Sequence, residues 1–397
     1  MRRLRHHEVS KLLGYYGVLV GIGLMVGVLG PTLGPLAAQT GTSLPQVSLI
    51  LALRPLGYMA GALLAGRWMD HRAGHPILAG AMLLAATMLA LMPLAASLSV
   101  LGLCVLGVGL GQGLMDVGST TLLGWVFYGR LGPYVAGLHF SFGLGAFIAP
   151  LIAAAALSSG AGVAGAYWPL AAFLVPLAAW LLWLPSPGHE QGAEGAVAMP
   201  RDRGLVGLFV LFFFLYGGLE TGFGVWIYQY ALDLGVADLK HAALLSSLFW
   251  GLLGLGRLLG IPVLARFSPE AFLRVLLPAS LAAMLSVLLW PTLPAALWLG
   301  CGAFGLFMAC IFPTLIVFAN ERLGGGQRLS GRLTSIFFLG SSSGSMCLPW
   351  LMGQAFGPWG PRRALGIGVV NLLGMLTVFV LMQGRRRMDA AGTVGVS

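Results

Sequence analysis

The sequence predicts an all-α membrane protein with twelve transmembrane helices in two six-helix bundles, and three observations carry that expectation. Of the 397 residues, 58% are hydrophobic and only 9% are charged, with a mean hydropathy of +0.90. A soluble domain carries about 25% charged residues because its surface must face water. The length, divided by the roughly 20 apolar residues that cross about 30 Å of hydrocarbon plus short connections, allows about twelve spans. The only sizeable hydrophilic connection, residues 185–203, lies at the midpoint of the chain. The period-two alternation of a membrane barrel is absent, so the spans are helices.

Taken in order, the first bundle, residues 1–184, places helices at 12–36, 46–68, 77–96, 100–127, 134–157 and 163–184. The first of these follows Arg2, Arg3 and Arg5, but it is longer than a signal core and eleven further spans follow, so it reads as a span. Residues 185–203 form a cytoplasmic linker rich in Pro, Gly and mixed charge. The second bundle, 204–397, places helices at 204–232, 242–265, 272–290, 294–320, 333–356 and 364–383, followed by a short basic tail. Gly66 and Arg72 recur as Gly260 and Arg266, a weak internal repeat that supports the division.

The net charge of +10 is not spread as a nucleic-acid surface would require. Most of the basic residues fall in the N-terminal segment, in alternate loops and in the tail, which orients the chain with both termini cytoplasmic in the inner membrane. The expected partners are a small-molecule substrate, H+ or Na+ and the lipid bilayer, with no nucleic acid and a monomeric state.

An ionisable group inside the bilayer costs a contested ~3 kcal/mol or more, so each one requires a reason. Arg54, Asp116, Glu220 and Arg257 are such groups, and His139 is a titratable fifth. Asp116 lies roughly 21 Å of helix from Arg130, and Arg54 a similar distance from Arg67. Their common depth predicts an ion pair or a shared water-filled site. Gln112, Asp116 and Thr120 recur at i, i+4, i+8 and make one polar stripe. Such a stripe is either a fixed clamp between helices or a carboxylate that takes and gives a proton as its accessibility alternates.

Glu220 is flanked by Gly217, Gly218, Gly222 and Gly224, a spacing expected to weaken the helix and free carbonyls for a substrate or cation. Beyond it, Trp226, Tyr228 and Tyr230 offer aromatic planes for a sugar's CH face and Gln229 an amide for its hydroxyls. The same aromatics would equally serve as interfacial anchors. His139 either couples proton movement or packs through a hydrogen bond. Arg257 either neutralises Glu220 or snorkels. Cys104, Cys301, Cys310 and Cys347 read as small packing residues, without metal-ligand spacing. No hydrolytic, nucleotide-binding or redox motif is present, so neither an enzyme nor a cofactor is expected, and an ion gradient or facilitated diffusion is left as the driving process.

The segment Gly66-Arg67-Trp68-Met69-Asp70-His71-Arg72-Ala73-Gly74-His75 resembles the loop signature G-x-L-x-D-R-x-G-R-K of the major facilitator superfamily. Gly66, Asp70, Arg72 and Gly74 match it position by position, and the resemblance implies a gating role for them. His71 and His75 stand where the signature has basic residues. Arg54-Pro55-Leu56-Gly57-Tyr58, Leu138-His139 with Phe142-Gly143, and Glu220-Thr221-Gly222-Phe223-Gly224-Val225-Trp226-Ile227-Tyr228 look like the sodium-dependent glucose transporter and fucose permease branches. Phe249-Trp250-Gly251 with Gly256-Arg257 fits the same branches, which brings Trp250 into the expected substrate-binding set. In fucose permeases carboxylates on helices 1 and 4 carry coupling. Asp116 matches the second, whereas helix 1 here has no acid, a departure that moves part of the role to Glu220. The resemblance thus implies cation-coupled uptake of a sugar by alternating access. A proton-coupled exporter of amphipathic compounds, or a channel or membrane sensor, are the rival readings.

Overall fold

The computed structural model describes residues 6–69, 71–127, 131–187, 202–264, 266–323 and 331–394, all of whose regular elements are helical. The first half contains α1 (His6–Gly27), α2 (Leu29–Gln39), α3 (Leu44–Val47), α4 (Leu49–Met69), α5 (Gly74–Leu91), α6 (Leu98–Val126), α7 (Leu131–Ser158) and α8 (Gly162–Trp183). The second contains α9 (Arg203–Asp233), α10 (Leu239–Leu264), α11 (Pro269–Leu289), α12 (Pro294–Leu323) and α13 (Gly331–Val394). Most of the central linker, residues 188–201, lies outside the described residues.

Two features turn these elements into twelve crossings. The first crossing is α1 continued by α2 after a break at Val28, and α3 with α4 makes the second. The last apolar stretch, Leu333–Arg385, has 53 residues, about 80 Å at 1.5 Å per residue, which is more than twice the hydrocarbon thickness. It is two helices meeting at Gly360, whose φ of 77° and ψ of 167° only glycine adopts readily. With an even number of crossings, the start of α1 and the end of α13 lie on one face.

Helix starts are fixed by side chains that accept the first free backbone N–H groups: Ser97 from Val100, Ser268 from Ala271 and Asp202 from Leu205. Ser43 and Gln46 form a reciprocal capping box at the start of the second crossing. Asp202 is also tied to Arg385 at 2.8 Å. The Leu205 N–H and the Arg385 guanidinium hold its carboxyl below the usual carboxylate range.

Packing relies on small residues, as association in lipid requires. Gly57 and Gly61 on α4 interlock with Gly109 and Gly113 on α6. A Cβ added at any of the four would strike a carbonyl of the other helix: Leu106, Leu110, Arg54 or Tyr58. Several contacts among the described residues join the bundles. Gly143 on α7 and Gly254 on α10 cross Cα against Cα. On the face away from the termini, Gln354 Nε2 donates to the Pro45 carbonyl at 2.7 Å and to Ser48 Oγ at 3.2 Å, and Gly30 packs on the Val225 carbonyl. Three of the four cysteines are buried, but Cys347 is exposed, so its place on the outward side of its helix corrects the expectation of a packing role.

Candidate functional site

Between the bundles lies a cavity of about 530 Å³ whose lining includes Asp116, His139, Glu220 and Arg257. These four residues span more than 140 positions of sequence and sit on α6, α7, α9 and α10. The cavity reaches Val135 and Ala136 near the start of α7, Ile316 and Val317 near the end of α12 and Phe338 near the start of α13. It therefore lies on the side of the two termini, beneath the contacts that close the opposite face.

In the first bundle the glycine interlock sets the register of the site. Because Gly57, Gly61, Gly109 and Gly113 let the backbones touch, residues on adjoining faces pair rung by rung. Arg54 Nη1 donates to Gln112 Oε1 at 3.0 Å. One turn further along both helices, the Tyr58 hydroxyl donates to Asp116 Oδ2 at 2.7 Å. The expected Arg54–Asp116 ion pair does not form among the described residues, because each partner is offset by one helical turn. Arg54 is buried in the helix interface with its Nε unpartnered, and Asp116 faces the cavity with a hydroxyl in place of a cation. Gln112 is buried against Arg54 and Thr120 is exposed outside the cavity lining, so Asp116 alone of the polar stripe reaches the central space.

In the second bundle, Arg257 Nη2 donates to both oxygens of Glu220, at 3.0 and 3.3 Å. The two side chains are 17% and 14% exposed. The guanidinium also lies 5.8 Å from the centroid of Phe142, which belongs to the first bundle. Beside the pair, Tyr216 donates to the Met308 carbonyl at 3.2 Å. Thr221 Oγ1 donates to Ser345 Oγ at 3.1 Å, which donates to the Gly217 carbonyl at 2.9 Å. With Ser341, these residues form a polar patch on α9 and α13 within the cavity wall. His139 is exposed to the cavity and makes no hydrogen bond among the described residues.

Other expected positions fall elsewhere. The helix α9 runs unbroken from Arg203 to Asp233, which corrects the expectation of freed carbonyls around Glu220. Gly217, Gly218, Gly222 and Gly224 instead admit close packing against Ser341, Leu348, Met352 and Trp250. Trp226, Tyr228, Gln229, Tyr230 and Trp250 are absent from the cavity lining. Trp226 is about 9 Å of helix beyond Glu220, where its indole donates to the Pro349 carbonyl at 2.8 Å and stacks on Phe356. Tyr230 donates to the Val287 carbonyl, Gln229 to Asp233, and Tyr228 and Trp250 are buried in the helix packing. Gly66, in the last turn of α4, and Arg72, in the loop that follows, are exposed, and Gly74 at the start of α5 is buried against Leu122. Asp70 lies outside the described residues.

The signal that sequence reading missed was the glycine spacing itself. Gly57-x-x-x-Gly61 and Gly109-x-x-x-Gly113 point to a tight helix pair, with Tyr58 directly after the first glycine of one pair and Asp116 about one turn beyond the last glycine of the other.

Comparison with known proteins agrees with this architecture. The Major Facilitator Superfamily profile matches residues 15–349. The chain belongs to the major facilitator superfamily. It is 27% identical over 376 residues to mouse sodium-dependent glucose transporter 1A, covering 85% of this chain and 88% of the relative. Human major facilitator superfamily domain-containing protein 4A is 24% identical over 486 residues, covering 97% and 94%. Among solved structures, a bacterial homologue of the human lysosomal transporter Spinster, inward-facing and occupied, superposes with a TM-score of 0.75 at 15% identity, covering 96% of this chain and 98% of the other. A D-xylose–proton symporter superposes with a TM-score of 0.72 at 14% identity, covering 93% and 96%. This chain is a multi-pass membrane transporter and not an enzyme.

Proposed function

We propose that the protein takes up a sugar or similar small polar solute by alternating access, driven by an inward gradient of H+ or Na+. The observation that carries this reading is the unequal charge of one cavity: two carboxylates, Asp116 and Glu220, share it with a single guanidinium, Arg257, which Glu220 already occupies. Asp116 is left to be neutralised by a mobile cation. A carboxylate deep in a membrane protein that must shed its charge before the cavity can close gives the cation and the conformational change a common requirement. Thr221, Ser341 and Ser345 supply hydroxyl groups for a polyol, and the cavity volume falls in the range of small-molecule sites. The mouse relative is named a sodium-dependent glucose transporter, and the xylose neighbour a proton symporter. The terminal face is assigned to the cytoplasm of the inner membrane by its basic loops. In this reading Gly66, Asp70, Arg72 and Gly74 act at the inner gate, His139 assists proton exchange, and Arg54 with Gln112 holds the α4–α6 register beneath Asp116.

Purified protein in liposomes should accumulate labelled hexose or pentose when an inward pH or Na+ gradient is imposed, and collapse of the active gradient should stop it. A second reading, export of amphipathic compounds, draws on Phe142, Phe312 and Phe338 in the same wall. In that case inside-out vesicles would concentrate hydrophobic dyes and the sugar assay would be silent.

A further inference from the structure

Away from the central cavity, a second hollow of about 400 Å³ lies on the outer surface of the first bundle. One wall is a single face of α5, where Ala73, Pro76, Ile77, Gly80, Ala81 and Leu84 recur at helical spacing. Leu110 and Leu114, one turn apart on α6, close the other side. From residue 73 to residue 84 the slot runs about 16 Å along the helix, close to half the hydrocarbon thickness and so to the depth of one leaflet. Its mouth is the loop after α4, which the resemblance had assigned only to gating. There Arg72 and Trp68 complete the lining. Trp68 is 41% exposed, as an indole at the headgroup level is. Arg72 is exposed and makes no hydrogen bond or ion pair with any described residue, although its guanidinium offers five donors. Arg67 and His71 adjoin it.

We propose that this slot is a lipid site, in which one acyl chain of an anionic glycerophospholipid lies along α5 from Ile77 to Leu84 and its phosphate is held by Arg72 beside Trp68. The apolar lining suits a hydrocarbon chain. A guanidinium at its mouth that has no partner among the described residues suits a phosphodiester whose charge no second headgroup group cancels, and a zwitterionic lipid would bring a cation of its own. The slot holds about 400 Å³ between faces of two helices, whereas a stable contact with a second protein needs about 800 Å² on each side. Occupancy would brace the loop between the second and third crossings from the membrane side, independently of what the central cavity carries.

The test uses full-length protein in nonionic micelles, titrated with dioleoylphosphatidylglycerol, with dioleoylphosphatidylcholine and with inorganic phosphate, and read by native mass spectrometry and thermal melting. Phosphatidylglycerol is expected to bind saturably and raise the melting midpoint. Phosphatidylcholine is expected to bind about fivefold more weakly, because its choline cation cancels the net headgroup charge that one basic residue at a membrane surface attracts, and phosphate alone to do nothing. Arg72→Ala should weaken phosphatidylglycerol about fivefold and phosphatidylcholine less, so that the preference between the two lipids narrows. Gly80→Phe should weaken both lipids, since an added Cβ at Gly80 meets nothing within 4 Å and the ring would fill the slot. Arg266→Ala, which removes an exposed charge elsewhere, should change neither. Equal phosphatidylglycerol binding by the wild type, Arg72→Ala and Gly80→Phe would overturn the proposal, and so would a shift reproduced by phosphate alone.

Discussion

Replacing Glu220 by Gln separates a paired charge from an incidental contact in the cavity wall. At 3.0 Å, two unit charges in a medium of effective dielectric constant about 20 attract by about 5.5 kcal/mol. Desolvation takes back part of that, and exposures of 17% and 14% place the pair between surface bridges worth ~0–1 kcal/mol and fully buried pairs whose disruption costs ~3–5 kcal/mol. Glu220→Gln leaves Arg257 with an already unpartnered Nε and with the Phe142 ring and the neighbouring Tyr216 side chain as its contacts. The expected loss is about 3 kcal/mol. Arg257→Gln should cost a similar amount, and the double replacement should recover a coupling of about 2–3 kcal/mol. Reversible unfolding in mixed micelles, scored by tryptophan fluorescence, measures all four corners of this cycle. Single replacements that each cost under about 0.5 kcal/mol, or that add without coupling, would refute the account of the pair.

Three further outcomes follow from named contacts. Gln354→Ala removes two hydrogen bonds between the bundles on the face away from the termini; at about 0.5 kcal/mol net for each, the closed state should lose at least about fivefold in population relative to the open one, read as faster labelling of a reporter cysteine in the central cavity from that face. Gly113→Leu drives a side chain into the Tyr58 carbonyl and should destabilise the protein by more than about 2 kcal/mol, measured by the same unfolding assay, while Gly66→Ala, within α4 and with open space around it, should stabilise it by up to about 1 kcal/mol. Asp202→Asn keeps an oxygen able to cap α9 but removes the charge that faces Arg385 and the helix N-terminus, and should cost under about 1 kcal/mol at neutral pH. Because its carboxyl is held below the usual range, the wild-type contribution is complete above the unfolded value of about 3.9 and fades as the pH falls through the lower folded value, so wild type and variant should converge in acid.

Much of the fold was legible because a bilayer leaves few choices: long apolar runs, a hydrophilic break at the midpoint and helix-breaking loops specify crossings directly. The ionisable residues were legible for the same reason, and Asp116, His139, Glu220 and Arg257 do line one cavity. What depth arithmetic could not supply was rotation about the helix axis. Arg54 and Asp116 lie within one turn of each other along facing helices, yet the glycine interlock pairs Arg54 with Gln112 and Asp116 with Tyr58. The same blind spot affected α9. Its aromatics follow Glu220 closely in sequence, but Trp226 and Tyr230 turn toward Pro349 and Val287. Their polar edges find backbone carbonyls, which sequence spacing does not distinguish from a ligand. Thr221 and Ser345 were missed because hydroxyl residues in a span carry no compositional contrast until the neighbouring helix is placed.

The measurement closest to the central claim compares two modes of transport by Asp116→Asn in the same liposomes: accumulation driven by an imposed cation gradient, and counterflow exchange of labelled for unlabelled sugar with no gradient. An amide of the same shape cannot change its charge, so accumulation should vanish while counterflow continues within a few-fold of wild type. Accumulation at the wild-type rate would contradict the role given to this carboxylate.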